Sequence, residues 1–166
     1  MRFQDYGVIL RIISFEETKF IITVLTRENG IYPGLTDTTS SVWTHIYGEW
    51  SSRTQTLGYW SWEEAYTKNV SDYKTLLSIQ TVCSLLSQIL PERHPYPALY
   101  DALANYFDIA QFPDLLFSIL EETGYGFTGN MPDKTEQRVS LAFELLSKHF
   151  GFKPPHLLVG YECKRA

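Results

Sequence analysis

Cysteine is nearly absent from this sequence of 166 residues, in which only Cys83 and Cys163 occur. Two cysteines that lie far apart exclude a four-cysteine zinc site and argue against a small domain stabilised by several disulfides. Free cysteine usually packs as a small apolar side chain, so we expect Cys83 to be a buried helix residue. The scarcity of cysteine also indicates a reducing compartment, and we expect the protein in the cytoplasm.

Long hydrophobic runs are missing as well. No stretch of about 18 apolar residues occurs, which predicts that the chain has no transmembrane helix. The first ten residues, MRFQDYGVIL, lack the apolar core and the small-residue cleavage site of a secretory signal. Hydrophobic residues nevertheless make up 44% of the chain and aromatic residues 15%, which is enough to build a packed core.

Motifs that carry catalysis are also lacking. The sequence contains no phosphate-binding GxxxxGK(S/T) loop, no HExxH and no GxSxG. The glycine-rich stretch GYGFTG follows a predicted helix, whereas a dinucleotide-binding loop follows a strand. The histidines are scattered without ligand spacing, at His45, His94, His149 and His156. We therefore expect a protein that is not an enzyme and that binds neither a metal nor a cofactor.

Positive charge is in short supply. The chain has 14 Lys and Arg against 19 Asp and Glu, for a net charge of −5. The first 66 residues alone carry five basic and eight acidic side chains. Because phosphate contacts need local positive charge, this balance weighs against a strong nucleic-acid binder.

The first third of the chain has the composition of strands. Runs rich in β-branched and aromatic residues are separated by polar turns, and Asn29-Gly30 is a strong hairpin signal. The five runs cover residues 7–15, 19–26, 31–36, 42–50 and 54–62. Five short antiparallel strands must bury one face and protect their edges, so we predict an OB-fold barrel domain over residues 1–66.

After residue 66 the hydrophobic period changes to that of helices, which predicts a helical domain over residues 67–166 and an α+β protein. One apolar stripe ends at Pro91, and a second helix is expected to begin near Pro97. Pro113 suits the first turn of a third helix. Asp133 and Glu136 have the spacing of a capping box at the start of a fourth helix.

Three segments together resemble the RecO family of bacterial recombination mediators. They are DYGVILRIISFEETKFIITVLTRENGIYPGL at 5–35, LPERHPYPALYDAL at 90–103 and LLFSILEETGYGF at 115–127. The resemblance extends from about residue 5 to residue 160. It implies an OB-fold followed by a helical domain, in agreement with the pattern of the residues.

The resemblance implies a function in DNA repair and recombination at the nucleoid. It implies binding of single-stranded DNA, of the tail of single-strand-binding protein and of RecR, with DNA annealing and recombinase loading as the outcome. Two departures mark a reduced or divergent member. Residues 35–41, LTDTTSS, replace a basic loop of the family, and residues 128–138 lack the cysteines of the zinc knuckle found in many relatives.

Candidate DNA-binding residues are basic and aromatic side chains of the predicted barrel, because OB-folds combine a positive groove with stacking platforms. We select Arg11, Lys19, Arg27, Arg53, Tyr32 and Trp43. Three alternatives remain open. For any single ring, packing in the core or between the domains is favoured over a place on the surface. The acidic balance also fits an interaction module that has lost DNA binding, and the barrel also fits an unrelated OB-fold that binds another ligand.

The Pro-rich segment 90–103, which we term the joint, is the candidate partner site. The resemblance implies that the helical domain receives the acidic, phenylalanine-ended tail of single-strand-binding protein, and such a tail needs an apolar notch and a nearby cation. Arg93 supplies the cation, and Leu90 and Leu99 supply the notch. The alternative is structural: Glu92 and Arg93 bridge helix ends while the prolines fix a stiff turn.

Overall fold

The computed structural model describes residues 1–154, apart from residues 55, 56, 67, 69 and 71. Five strands are followed by four α-helices, with a short 3₁₀ turn at Ile109–Gln111 between the second and the third helix. The strands are β1 (Arg2–Glu16), β2 (Lys19–Thr26), β3 (Gly30–Thr36), β4 (His45–Ser51) and β5 (Gly58–Tyr66). The helices are α1 (Tyr73–Ile89), α2 (Pro97–Ala104), α3 (Phe112–Glu122) and α4 (Thr135–Phe150).

The strands form a closed barrel in the order β1-β2-β3-β5-β4, which confirms the predicted OB-fold architecture. The length of β1 makes closure possible, since its residues 2–8 pair with β4 and its residues 7–16 pair with β2. A register shift between Ile9 and Arg11 bends the strand between these two partners. One detail corrects the prediction: β3 and β5 run parallel, through Gly34 opposite Gly58 and Leu35 opposite Tyr59.

The barrel interior is small and aromatic. Trp50 and Trp60 are each 1% exposed, and Phe3 packs against both rings. Each indole is fixed by a hydrogen bond, because Trp50 Nε1 donates to the carbonyl of Pro33 and Trp60 Nε1 to that of Tyr32, both at 3.0 Å. The buried residues of this interior are Ile9, Ile22, Val24, Tyr32, Ile46, Trp50 and Trp60.

A second, larger core is built by the helices and continues onto the outside of the barrel. The barrel contributes Val8, Leu10, Leu25, Ile31 and Trp43 to this helical cluster. We term this contact between barrel and helices the seam. Strands give way to helices between Tyr66 and Tyr73, and the proposed division into domains at residue 66 stays a prediction.

The helix ends agree with the sequence patterns except at the start of α4. Gly151 follows α4 at φ 67°, as expected of a glycine at a helix end. The predicted capping box of Asp133 and Glu136 is wrong, because Lys134 occupies the N-cap and no side chain caps this helix. A capping box does form elsewhere, between Asp108 and Gln111 at the 3₁₀ turn.

The predicted fourth strand begins later than expected. Residues 42–44 precede β4, and Trp43 adopts φ 78°, in the left-handed region that non-glycine residues rarely occupy. This turn places the Trp43 ring in the helical cluster. A strand that continued through this position would instead direct alternate residues to the two faces of the sheet.

Candidate nucleic-acid and partner interface

The joint attaches the helices directly to β3. Glu92 forms a parallel bridge with Ile31, and the backbone N–H of Arg93 donates to the Ile31 carbonyl at 3.1 Å. Gly30, at φ 93°, lies so close that a Cβ atom there would be 2.5 Å from the carbonyl oxygen of His94. The joint therefore contacts the barrel, in addition to connecting α1 to α2.

Arg93 is held against the rings at one end of the barrel. Its guanidinium carbon lies 5.5 Å from the Tyr32 ring centroid and 5.6 Å from that of Trp50, which is within the range of cation–π contacts. Its backbone is left-handed, at φ 62°. These two ring contacts attach the joint to the barrel, and the roles predicted for Arg93 in a partner site or a helix-end bridge stay predictions.

The two apolar residues predicted for the partner notch lie inside the helical core. Leu90 is 6% exposed and Leu99 is fully buried. A partner would reach them only after the helices rearrange, and their role in partner binding stays a prediction. Arg93 itself is half-buried, so part of its side chain is accessible from solvent.

The four predicted DNA-binding cations are spread over the barrel. Arg11, Arg27 and Arg53 are exposed, and Lys19 is half-exposed. Lys19 begins β2 and Arg27 follows its last residue, so at the rise of an extended chain their backbones lie roughly 25 Å apart. Arg53 lies in the connection from β4 to β5. These cations therefore do not form one compact cluster.

The two predicted aromatic platforms are buried. Tyr32 is 3% exposed in the barrel interior, and Trp43 is 9% exposed at the seam. Neither ring presents an open face to a base in this structure, because both are packed between other rings. Their assignment to DNA stays a prediction that requires the barrel or the seam to open.

A different surface presents aromatic rings to solvent. We term it the open face; it is the outer side of β1, β4 and β5. Tyr6 and Tyr47 are register partners with ring centroids 4.7 Å apart, and Tyr59 is opposite Ser51. These tyrosines are 37–45% exposed. Sequence alternation groups such residues on one side of a strand, but it does not reveal which side faces solvent.

The open face carries charges of both signs. Arg2 is opposite Ser51 and forms an ion pair with Glu49, with 2.8 Å between Nε and Oε2. Arg53 follows two residues after Ser51, so both arginines lie near the end of β4. Glu63 lies opposite Tyr47 on β5. The mixture allows stacking and phosphate contacts near Arg2 and Arg53, but its acids weaken binding of a polyanion.

A cleft of about 450 Å³, partly open to solvent, lies at the seam between the start of β4, the end of β5 and α1, and we term it the seam cavity. Trp43 and His45 lie on its barrel side, with ring centroids 5.1 Å apart. His45 Nδ1 is 3.0 Å from the Tyr66 hydroxyl. Burial, with the nearby charge of Lys68, lowers the pKa of His45 to about 4, so its imidazole is neutral at pH 7.

Lys68 connects the seam cavity to α2. Its ammonium group lies 5.7 Å from the Trp43 ring centroid and donates to the carbonyls of Leu103, Ala104 and Tyr106. A cation that donates to the last carbonyls of a helix stabilises that helix end. Burial lowers the pKa of Lys68. Neither Lys68 nor His45 was predicted as a site residue, since no motif marks them in the sequence.

Two further expectations concern the chemistry of the chain. Cys83 is buried in α1 as predicted, and burial raises the pKa of its thiol. Within the described residues, no group of three or more His, Cys, Asp and Glu side chains is placed to hold a metal ion. No helix in the described part of the chain has both the length and the apolar character needed to cross a membrane.

Comparisons with known proteins place these features in a family. The family model described as "Recombination protein O C terminal" matches residues 70–111, which include α1, the joint and α2. "DNA repair protein RecO" of Ruegeria sp. (strain TM1040) is 30% identical over 146 residues, covering 76% of this chain and 61% of the relative.

Two other relatives carry the same name, DNA repair protein RecO. The protein of Rickettsia rickettsii (strain Iowa) is 29% identical over 143 residues, covering 75% of this chain and 60% of the relative. That of Anaplasma marginale (strain Florida) is 25% identical over 119 residues, covering 67% and 50%. The chain thus spans about 60% of the length of the first of these relatives. The closed barrel, the joint and these similarities show that the chain belongs to the RecO family.

Proposed function

We propose that this chain acts in DNA repair and recombination as a RecO-type mediator, by binding and not by catalysis. In this role it binds single-stranded DNA, the tail of single-strand-binding protein and RecR, and it promotes annealing and recombinase loading at the nucleoid in the cytoplasm. The names of the relatives support the role in DNA repair. Because the chain covers only part of their length, DNA and partner binding need direct tests.

The observation that carries this proposal is the attachment of the matched joint to an OB-fold barrel. The segment that matches the family model contains the joint, and the joint contacts β3 through Ile31 and Arg93. OB-folds are a recurrent scaffold for single-stranded nucleic acids. A family segment attached to such a barrel supports a DNA-related role more strongly than either part alone.

For DNA we favour the open face, with Arg2 and Arg53 at one end and the exposed tyrosines along it. Base stacking on aromatic rings contributes about 1–3 kcal/mol per base without needing many cations. Arg11, Lys19 and Arg27 lie on or beside the β1–β2 hairpin and would extend the phosphate contacts. With few cations available, we expect weak affinity and a shallow dependence on salt.

The test for DNA is the anisotropy of a fluorescein-labelled oligo-dT at low salt. We expect saturable binding that weakens with added salt, and a further weakening on Arg53→Glu. Lys148→Glu on α4 changes the charge equally but lies outside the barrel, so it is the matched control. Loss of affinity by the same factor in both variants would assign the effect to net charge and not to the open face.

A second candidate function is a protein-interaction module that has kept the fold but lost DNA binding. The separation of Lys19 from Arg27 and the acids on the open face favour it. Absence of binding by the folded wild type at low salt would establish this alternative over the first.

The partner claim has its own test, titration of a labelled peptide with the sequence of an acidic, phenylalanine-ended tail. We expect the wild type to bind it and Arg93→Ala to bind more weakly, because the guanidinium supplies the cation for a carboxylate. Equal affinity of both proteins would remove Arg93 from the site, and no binding by the wild type would remove the tail as a partner. Immobilised RecR tests the other proposed contact in the same way.

A further inference from the structure

The turn between β2 and β3 contains the dipeptide Asn29-Gly30, which is reactive as well as a hairpin signal. Asparagine is thermolabile, because the nitrogen of the following peptide group can attack its side-chain amide. A following glycine favours this attack, since it has no Cβ atom to hinder the approach. No other asparagine in the sequence is followed by glycine, so Asn29 is the most reactive asparagine by its sequence.

Hydrogen bonds hold Asn29 in place in the folded chain. Its Nδ2 donates to Asp5 Oδ2 at 2.9 Å, and its backbone N–H donates to Thr26 Oγ1 at 3.1 Å. Asp5 is 7% exposed, and its Oδ2 also accepts from the backbone N–H of Glu28 at 2.9 Å. A nearly buried carboxylate of β1 therefore orients both the backbone of the turn and the reactive amide.

The joint fixes the turn from the other side. Gly30 has φ 93°, and a Cβ atom added to it would be 2.5 Å from the carbonyl oxygen of His94. The next residue, Ile31, accepts from the backbone N–H of Arg93 at 3.1 Å. Attack on the Asn29 amide requires its side chain to leave its acceptor and the backbone beside it to rotate. Both sets of contacts resist this motion, so the reaction proceeds from a locally opened turn.

We infer that Asn29 is a deamidation site and that its modification loosens the joint from β3. The Gly30 nitrogen attacks Cγ of Asn29 and forms a C–N bond, and the Nδ2 group leaves as ammonia with the proton of the Gly30 N–H. Water then opens the cyclic imide at either carbonyl carbon and yields aspartate or isoaspartate. Water is the one co-reactant. The inference does not depend on the DNA-related function proposed above.

Deamidation replaces a hydrogen-bond donor with a negatively charged acceptor. In the aspartate product two carboxylates would meet across the 2.9 Å that now separates Asp5 Oδ2 from its donor, and like charges at that distance repel. Isoaspartate also adds one methylene to the backbone of the turn. Either change displaces Gly30 from its close contact with His94. The hydrogen bond between Arg93 and Ile31 is therefore expected to weaken.

The first test measures the rate of deamidation in the full chain from the mass of the proteolytic peptide that contains Asn29. We expect the folded wild type to react about tenfold more slowly than the same chain in urea, because the turn must first open. Folded Asp5→Ala should react faster than the folded wild type, since the acceptor of the amide is removed. Asp114→Ala removes an exposed acid of α3 and should leave the rate unchanged.

The second test measures amide hydrogen exchange by NMR in Asn29→Asp, which carries the aspartate product. We expect the Arg93 N–H to exchange about tenfold faster than in the wild type, because its bond to β3 opens more often. The N–H of Gly151, which donates to Ser147 at the end of α4, should not change. The double variant Asp5→Asn/Asn29→Asp exchanges donor and acceptor, and it should restore most of the protection at Arg93.

Equal rates with and without urea, or equal rates in the folded wild type and folded Asp5→Ala, would overturn the control of the reaction by the turn. Unchanged exchange at Arg93 in Asn29→Asp, equal acceleration at Gly151, or no recovery in the double variant would overturn the effect on the joint. If Asn29→Asp does not fold, the exchange measurement uses wild-type chain that has deamidated under native conditions, separated by its added negative charge.

Discussion

The barrel interior and the seam both bury aromatic rings, but they differ in whether the ring nitrogens have hydrogen-bond partners. In the interior, the indoles of Trp50 and Trp60 find carbonyl partners within the barrel itself. At the seam, one buried ring nitrogen of Trp43 and one of His45 have no hydrogen-bond partner among the residues that the structure describes. Both non-glycine residues with positive φ in the described ranges, Trp43 and Arg93, also contact the seam or the joint. The interior is thus arranged for stability, whereas strain and unpaired polar groups concentrate where barrel and helices meet.

The largest expected effect lies in the barrel interior. Trp60→Ala should lower the free energy of unfolding by about 4 kcal/mol, because it removes a fully buried indole and leaves a cavity. Urea denaturation followed by circular dichroism measures this loss. Trp62→Ala, at a half-exposed position of the same strand, should cost clearly less. Similar losses of stability for both variants would contradict the conclusion that Trp60 is fully buried in the barrel interior while Trp62 lies at its edge.

The seam should show the next largest effect, and it should depend on pH. The folded pKa of His45 is about 4, below its ordinary value of 6.5. As the pH falls from 6.5 toward 4, the unfolded chain therefore binds a proton at His45 that the folded chain does not bind. Stability is complete above that window and decreases across it by up to about 3 kcal/mol.

The measurement for this pH effect is urea denaturation at a series of pH values between 7 and 4. His45→Gln removes the titrating group, so its stability should decrease less across the window than that of the wild type. Carboxylates titrate in both proteins, and the difference between the two curves isolates His45. Parallel curves would show that His45 is accessible to protons in the folded state.

A smaller effect is expected where the joint meets β3. Gly30→Ala introduces a Cβ in contact with the His94 backbone at a residue with positive φ, and it should cost about 2 kcal/mol or more. Gly124 has a similar φ of 90° but nothing within 4 Å of its added Cβ, so Gly124→Ala should cost only about 1 kcal/mol. Thermal unfolding measures both losses of stability. Equal losses for the two variants would show that the backbone of the joint moves away from the added Cβ at little cost.

Much of the fold could be predicted because hydrophobic period changes with the type of element. β2 has the predicted bounds at Lys19–Thr26, and α1 ends at Ile89, before the Pro91 that was expected to stop it. The parallel pairing of β3 with β5 could not be predicted, since it depends on how the barrel closes. The capping box at Asp133 was wrong because its spacing is a local signal that other residues can override.

The candidate site was harder to predict than the fold. Alternation groups Trp60 with Trp62 on one face, but it does not state which face is buried. Trp43 leaves the alternation altogether, because its positive φ redirects the chain to the helices. For Arg93 the sequence left a partner site and a helix-end bridge open, and it gave no sign of the contacts with the rings of Tyr32 and Trp50, more than 40 positions away. Such contacts exist only after the barrel and helices have packed.

The most direct measurement of the central claim is the rate at which two complementary single-stranded oligonucleotides anneal in the presence of the chain. If the chain is a RecO-type mediator that uses the open face, the wild type accelerates annealing at low salt. Added salt and Arg53→Glu reduce this acceleration, and Lys148→Glu does not. If the oligonucleotides anneal no faster with folded wild-type protein than without it, and if the protein does not change the anisotropy of labelled oligo-dT, the account is contradicted.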